Sequence, residues 1–210
     1  GRVLDVSALR AAVARARELG AVIAGDGCYA EFGWEAPWDR EAIPSILDPR
    51  VVGDDHTGVL SVYSLSKQSN LAGYRAAFVG GDRELIESLL TMRKHTGLMQ
   101  PAPVQAAMVA ALQDETHVDE QRARYLARRK LLVPALIAAG FRIEGSEAGL
   151  YLWATRGEDA WQSVEAFARL GIVVGPGHFY GDDSPQHVRL ALTASDEHVA
   201  EAAARIAASR

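Results

Sequence analysis

"SLSKQSNLAGYR" (residues 64–75) places Lys67 between small hydroxyl residues, with Arg75 eight positions on. It lies between two short apolar stretches, VLSVY (59–63) and YRAAFVGG (74–81), both of which read as strands. Lys67 is therefore expected in a polar turn after a strand. A protonated lysine amine is a poor nucleophile; desolvated or beside other cations it forms a Schiff base with a carbonyl. Ser64, Ser66 and Arg75 supply hydroxyls and a guanidinium, a combination suited to a phosphate. A lysine imine beside a phosphate cradle is what pyridoxal phosphate requires. On spacing alone, a solvated loop lysine explains the stretch equally well.

Upstream, AVIAG (21–25) is a continuous apolar run and predicts a strand buried on both faces. It leads into GDGCYAEF (25–32), where Asp26 could keep a pyridinium nitrogen protonated and Tyr29 could offer its phenol to a ring oxygen. The competing reading is an ordinary strand-end aspartate in a glycine-flanked turn, with Tyr29 packed below. Downstream, VRLALTA (188–194) sets Arg189 in an apolar strand. A buried guanidinium needs an anionic partner, and a substrate carboxylate held by two parallel bonds would serve. Snorkelling from an edge strand is the alternative.

These three sites together resemble the class I/II pyridoxal-phosphate-dependent aminotransferases (fold type I). SLSKQSNLAGYRAA is similar to their lysine signature, GDGCY to their strand-end Asp and Tyr, and GIVVGPGHFYG…VRLALTA to their C-terminal block. The wording LSKQSNLAGYR, RKHTGLMQPAPVQAAM and SEAGLYLWAT resembles most closely the actinobacterial-type N-succinyldiaminopimelate aminotransferases.

The resemblance implies an α/β fold: the C-terminal part of a large domain, mostly parallel sheet with helices, followed by a smaller α+β domain. The expected division is 1–100, a connecting helix at 101–115, and 116–210. It implies that Lys67 carries the cofactor covalently and, once released by substrate, moves the proton between the substrate Cα and C4′. Asp26 would hold the ring nitrogen, Tyr29 the 3-oxygen, and Ser64, Ser66 and Arg75 the phosphate. Arg189 would hold the substrate α-carboxylate. The implied reaction is transamination with glutamate and 2-oxoglutarate, most specifically of N-succinyl-L,L-2,6-diaminopimelate in lysine biosynthesis, by a homodimer. Another aminotransferase, a β-lyase, or a non-catalytic binding or regulatory domain on the same fold are the rivals. An N-P-x-N-P-T-G segment is expected directly before the first helix, with Gly1 as its last residue. The chain is accordingly expected to be the C-terminal half of a longer enzyme.

Composition fits a soluble globular protein. Hydrophobic residues make up 49% and charged residues 23%, and 22 basic against 27 acidic side chains give a net charge of -5. That balance gives no reason to expect nucleic acid or an anionic membrane as partner. One cysteine, Cys28, fits a reducing, cytoplasmic setting. No apolar run approaches the roughly 20 residues that span a bilayer, and the histidines lack metal-ligand spacing.

Helices are predicted from Asp5 to Gly20, at 84–95, 101–113 and 116–139, and at about 158–170 and 196–208. FRIEG, GLYLWAT and GIVVG are expected to be strands. The basic run QRARYLARRK (121–130) reads as a solvated helix face, with Glu115, Asp119 and Glu120 just before it. The long segment EFGWEAPWDREAIPSILDPR (31–50) reads as a loop whose Trp34 and Trp38 either line an entrance or pack against the domain.

Overall fold

A computed structural model describes residues 1–209. The chain divides into two compact units, one comprising Val3–Glu31 and Glu41–Asp119, the other Gly1–Arg2, Phe32–Arg40 and Glu120–Arg210. Helices and strands are interspersed along the chain, as expected of an α/β chain.

In the first unit, α1 (Val6–Glu18) begins where Asp5 accepts the Ala8 N–H at 2.8 Å. Capping of this kind stabilises a helix by about 1 kcal/mol. Leu9, Val13 and Ala16, three or four residues apart, form its buried stripe. β1 (Ile23–Asp26) is joined through α2 (Pro49–Val52) to β2 (Val59–Ser64), with which it pairs in parallel. The single helical turn α3 (Leu65–Gln68) follows, and β3 (Ala77–Gly81) returns antiparallel to β2. The sheet order is β1-β2-β3. Leu9, Val13, Ile46, Val51, Val52 and Val59 form the core on one face of this sheet.

β1 is not buried on both faces as AVIAG predicts. Ile23 and Gly25 are half-buried while Ala24 and Asp26 are exposed. Among the described residues β1 is the outer strand of this sheet: α1 and α2 cover the face carrying Ile23, and the alternate side chains point away from that core. YRAAFVGG likewise enters its strand late, because Ala72–Tyr74 form a 3₁₀ turn and Arg75 takes a left-handed conformation, φ 52°.

Two further helices complete this unit: α4 (Arg83–Thr96), capped by Asp82 and ended at Gly97, and α5 (Ala102–Leu112) after Pro101. The long helix α6 (Thr116–Ala138) starts in this unit and continues in the other.

The second unit carries an antiparallel sheet of order β4-β5-β7-β6, formed by β4 (Arg142–Ile143), β5 (Tyr151–Thr155), β6 (Gly175–Pro176) and β7 (His187–Ala191). Helices α7 (Ala160–Arg169) and α8 (Asp196–Ala208) pack with α6 on it. Leu152 and Ala154 of β5 and Val188 and Leu190 of β7 enter the core, so Trp153 and Arg189 face the other side. GIVVG contributes only its last glycine to a strand: β6 is a two-residue edge, and Val173 is 98% exposed.

The basic run is not a solvated face. Arg122 donates to the carbonyls of Gly33 and Asp39, Arg128 binds Asp196 at 2.6 Å, and the buried Arg129 binds Ser146 and Glu35. These arginines tie the segment Phe32–Arg40 and the start of α8 to α6. Trp34 packs: it is 8% exposed, stacks on Phe32 and donates its indole N–H to Gly149 O at 2.5 Å. Gly33 beside it is required, since a Cβ there would stand 2.0 Å from the Trp38 carbonyl oxygen.

Candidate active site

Parallel pairing brings the carboxyl ends of β1 and β2 to one edge of the sheet. Asp26, the last residue of β1, pairs in register with Val62, two residues before Ser64 ends β2. β3 runs the opposite way, so its start lies at the same edge: Ala77 pairs with Ser64, and Arg75 precedes it by two. Asp26, Tyr29, Ser64, Ser66, Lys67 and Arg75 are thus gathered where strand ends meet loops, the position at which open α/β sheets bind ligands.

The lysine lies not in an irregular turn but at the third position of α3. Ser64 caps that turn: its Oγ accepts the Ser66 N–H at 3.2 Å and lies 2.8 Å from Ser66 Oγ and 3.4 Å from Ala76 O. The Ser64 hydroxyl is committed to local acceptors, while Ser66 keeps its own hydrogen to donate. Lys67 is half-buried, and its amine makes no hydrogen bond or ion pair with the described residues. Arg75 is exposed, and its guanidinium donates once, to Ala72 O at 3.1 Å.

Asp26 is exposed at its strand end, and one carboxylate oxygen accepts the Cys28 N–H at 3.0 Å. Burial pushes the Cys28 thiol up to about 11, the Asp26 carboxylate adds to this, and the Lys67 charge opposes it. The ammonium of Lys67 and the carboxylate of Asp26 are therefore both felt at Cys28. Tyr29 is half-buried in the turn that follows β1.

An amine, a guanidinium, a hydroxyl with a free hydrogen and a carboxylate form a donor set suited to a phosphorylated, protonated pyridine. A guanidinium and a hydroxyl suit a phosphate, a carboxylate suits a protonated ring nitrogen, and an amine suits an aldehyde carbon. The residues present fit pyridoxal phosphate.

Arg189 lies in the other unit, on β7. Its Cζ sits 4.2 Å from the Tyr151 ring centroid and 5.1 Å from that of Tyr180. Among the described residues its buried Nε has no hydrogen-bond partner and no carboxylate pairs with it. Tyr180 reaches this place from the 3₁₀ turn Gly177–Tyr180, which also carries a required glycine: a Cβ at Gly177 would fall 1.9 Å from Ser184 O. A guanidinium held between rings and lacking an anion can bind a carboxylate at its exposed edge.

Sequence reasoning missed four participants. Tyr151 and Tyr180 frame Arg189. Tyr63 of β2 places its hydroxyl 2.5 Å from Gln68 Oε1 and 3.0 Å from Glu31 Oε1, bracing the residue next to Lys67. Burial, then the Glu31 charge, pushes the Tyr63 phenol well above its ordinary range. His117 contacts Ser69. The aromatic spacing along β5 hints at Tyr151; nothing in the sequence connects the other contacts.

A family model described as "Aminotransferase class I and II" matches residues 1–206. Over 206 residues the chain is 57% identical to the 4-dedimethylamino-4-oxo-anhydrotetracycline transaminase OxyQ of Streptomyces rimosus, covering 98% of this chain and 56% of that protein. It is 55% identical to the probable aminotransferase Rv1178 of Mycobacterium tuberculosis, with 98% and 48% coverage. An LL-diaminopimelate aminotransferase of Aquifex aeolicus is 33% identical, with 91% and 49% coverage. Among solved structures, an aminotransferase from Neisseria meningitidis superposes with a TM-score of 0.84 at 29% identity, covering 98% of this chain and 53% of that one. The chain spans about half the length of the curated relatives it matches.

Proposed function

Since the chain belongs to the aminotransferase class I and II family, whose members use pyridoxal phosphate, we propose that it contributes the lysine side of a transaminase site. The observation that carries this reading is the gathering of Lys67, Asp26, Ser66 and Arg75 at one sheet edge. When bound, the cofactor supplies an electron sink for the substrate Cα.

In this proposal Lys67 holds the cofactor and, when free, takes the proton from the substrate Cα and returns it at C4′. Its amine has no competing partner among the described residues. Asp26 keeps the ring nitrogen protonated, and Tyr29 donates to the 3-oxygen. Ser66 and Arg75 bind the phosphate, and Ser64 acts with them by orienting Ser66. Arg189 fixes the substrate α-carboxylate and so the direction of the Cα–H bond. The division at 1–100, 101–115 and 116–210, a homodimer and a cytoplasmic setting belong to the same proposal. Among the described residues no helix is long and apolar enough to cross a membrane, and no metal-ligating cluster occurs.

For the substrates we propose glutamate and 2-oxoglutarate as one pair, with N-succinyl-L,L-2,6-diaminopimelate and its ketone as the other. Its support is the motif wording together with the diaminopimelate aminotransferases among the relatives. The 57% identity to a transaminase named for a tetracyclic ketone favours a second reading, an acceptor of that type.

The test uses the full-length protein with pyridoxal phosphate. Lys67→Ala is expected to abolish the visible absorbance of lysine-bound cofactor; a band unchanged by the substitution would refute the assignment. Glutamate offered with each ketone acceptor in turn then decides between the two substrate readings.

A further inference from the structure

We infer that His117 is a positioning residue for Lys67, acting through Ser69, with Asp114 fixing the imidazole. The inference rests on the reading of Lys67 as the cofactor-carrying amine. α3 is one turn of four residues, and a single turn fixes several backbone dihedrals for one hydrogen bond. It cannot hold a side-chain direction by itself. Leu65 anchors its start, being 0% exposed beside Ala76 and Met108. Its end is held at two successive residues, Gln68 by Tyr63 and Ser69 by His117.

Ser69 is the C-cap of α3, its N–H bonding to Leu65 O at 3.1 Å. The chain then reverses through Asn70, whose φ is 53°. The Ser69 side chain therefore marks where the lysine turn stops. His117 Nε2 lies 2.8 Å from Ser69 Oγ, across a gap of 48 residues in sequence. Its other nitrogen, Nδ1, lies 3.5 Å from Asp114 Oδ2. Asp114 is itself held by the Thr116 N–H at 3.0 Å. Bonds from Thr116, and after them His117, keep its carboxyl below the usual carboxylate range. An anionic carboxylate facing Nδ1 selects the tautomer with hydrogen on Nδ1, leaving Nε2 to accept from the Ser69 hydroxyl. All three side chains belong to one unit, so the brace sets the lysine turn against the start of α6.

Proton transfer demands that the amine be held within about 0.5 Å of its productive place. A brace two residues from Lys67 acts on that placement without touching substrate.

The test compares His117→Leu, His117→Gln, Ser69→Ala and the His117→Leu/Ser69→Ala pair in the full-length holoprotein. His117→Leu is expected to lower kcat about tenfold with KM for glutamate within about twofold, the pattern of lost orientation. It is also expected to move the pH midpoint of the visible band of lysine-bound cofactor. Ser69→Ala should reproduce both effects, and the pair should be no worse than either. Gln can accept from Ser69 at the place of Nε2 and should restore kcat and midpoint. If His117→Leu or Ser69→Ala lowers the melting temperature but leaves kcat and midpoint at wild-type values, His117 is only a structural contact and the inference fails. A folded His117→Gln without rescue also overturns it. Should His117→Leu not fold, Ser69→Ala carries the same readouts. Failure of the underlying reading looks different: the band would survive Lys67→Ala.

Discussion

Replacing Arg189 by leucine should separate stability from activity. In the structure the guanidinium has two aromatic neighbours, at 4.2 and 5.1 Å, and a buried Nε with no partner among the described residues. Leucine forfeits cation–π attraction of about 0.5–2 kcal/mol. It also removes an unsatisfied buried donor that costs about 1–3 kcal/mol. The two nearly cancel, so denaturant unfolding should place the variant within about 1 kcal/mol of wild type. Activity should respond very differently. Two charge-assisted hydrogen bonds to a carboxylate contribute about 1.5–3 kcal/mol each, and losing both amounts to roughly 10²–10⁴ in kcat/KM. Arg189→Lys keeps the charge but not the fork and should lose roughly tenfold to a hundredfold. The assay is single-turnover bleaching of the holoprotein's visible band by glutamate. An amine lacking the carboxylate serves as control and should react equally with wild type and variant. A leucine variant within threefold of wild type on glutamate would refute the carboxylate role. A stability loss above about 2 kcal/mol would show instead that Arg189 has a structural partner.

Two further expectations concern the scaffold and the cysteine. Gly33→Ala puts a Cβ 2.0 Å from the Trp38 carbonyl, so the backbone of 32–40 must shift, at a cost of at least about 2 kcal/mol. A melting temperature within a degree of wild type would contradict that close approach. Cys28 is raised from 9.0 to about 11, so its thiolate at pH 8 is about a hundredfold scarcer than for an unshifted thiol. Alkylation followed by mass spectrometry should be slow in proportion, and slower still in Lys67→Ala. Its linkage to stability has a definite sign. The folded thiol stays protonated while the unfolded one ionises, so stability is intact below about 9 and declines as pH rises toward 11. Cys28→Ala should flatten the decline; an equally steep fall in that variant would assign the loss elsewhere.

The sequence was most informative where the determinants are local. Asp5 caps α1 as its spacing predicts, and Gly20 follows the end of the helix. The strand pattern around Arg189 places Val188 and Leu190 inside and the arginine opposite. The α/β class and the aminotransferase family were also legible, because they rest on motifs of contiguous residues. What stayed hidden depends on distant partners. Arg128 meets Asp196 and Arg129 meets Glu35, so a run that looks like a charged face becomes a set of internal ties. α3 was unreadable as a helix, four residues being too few for periodicity to show. Ser69 and His117 carry no local signal at all.

Arg75 has a consequence for anyone redesigning this turn. A residue with a Cβ held at φ 52° and ψ 41° costs on the order of 1 kcal/mol relative to glycine. An optimiser scoring backbone comfort alone would write glycine at position 75 and register an improvement. The chain forgoes that gain to keep a guanidinium at the mouth of β3. Position 75 thus warns against ranking variants of this protein by thermal robustness: the most comfortable turn is the one that has lost its cation.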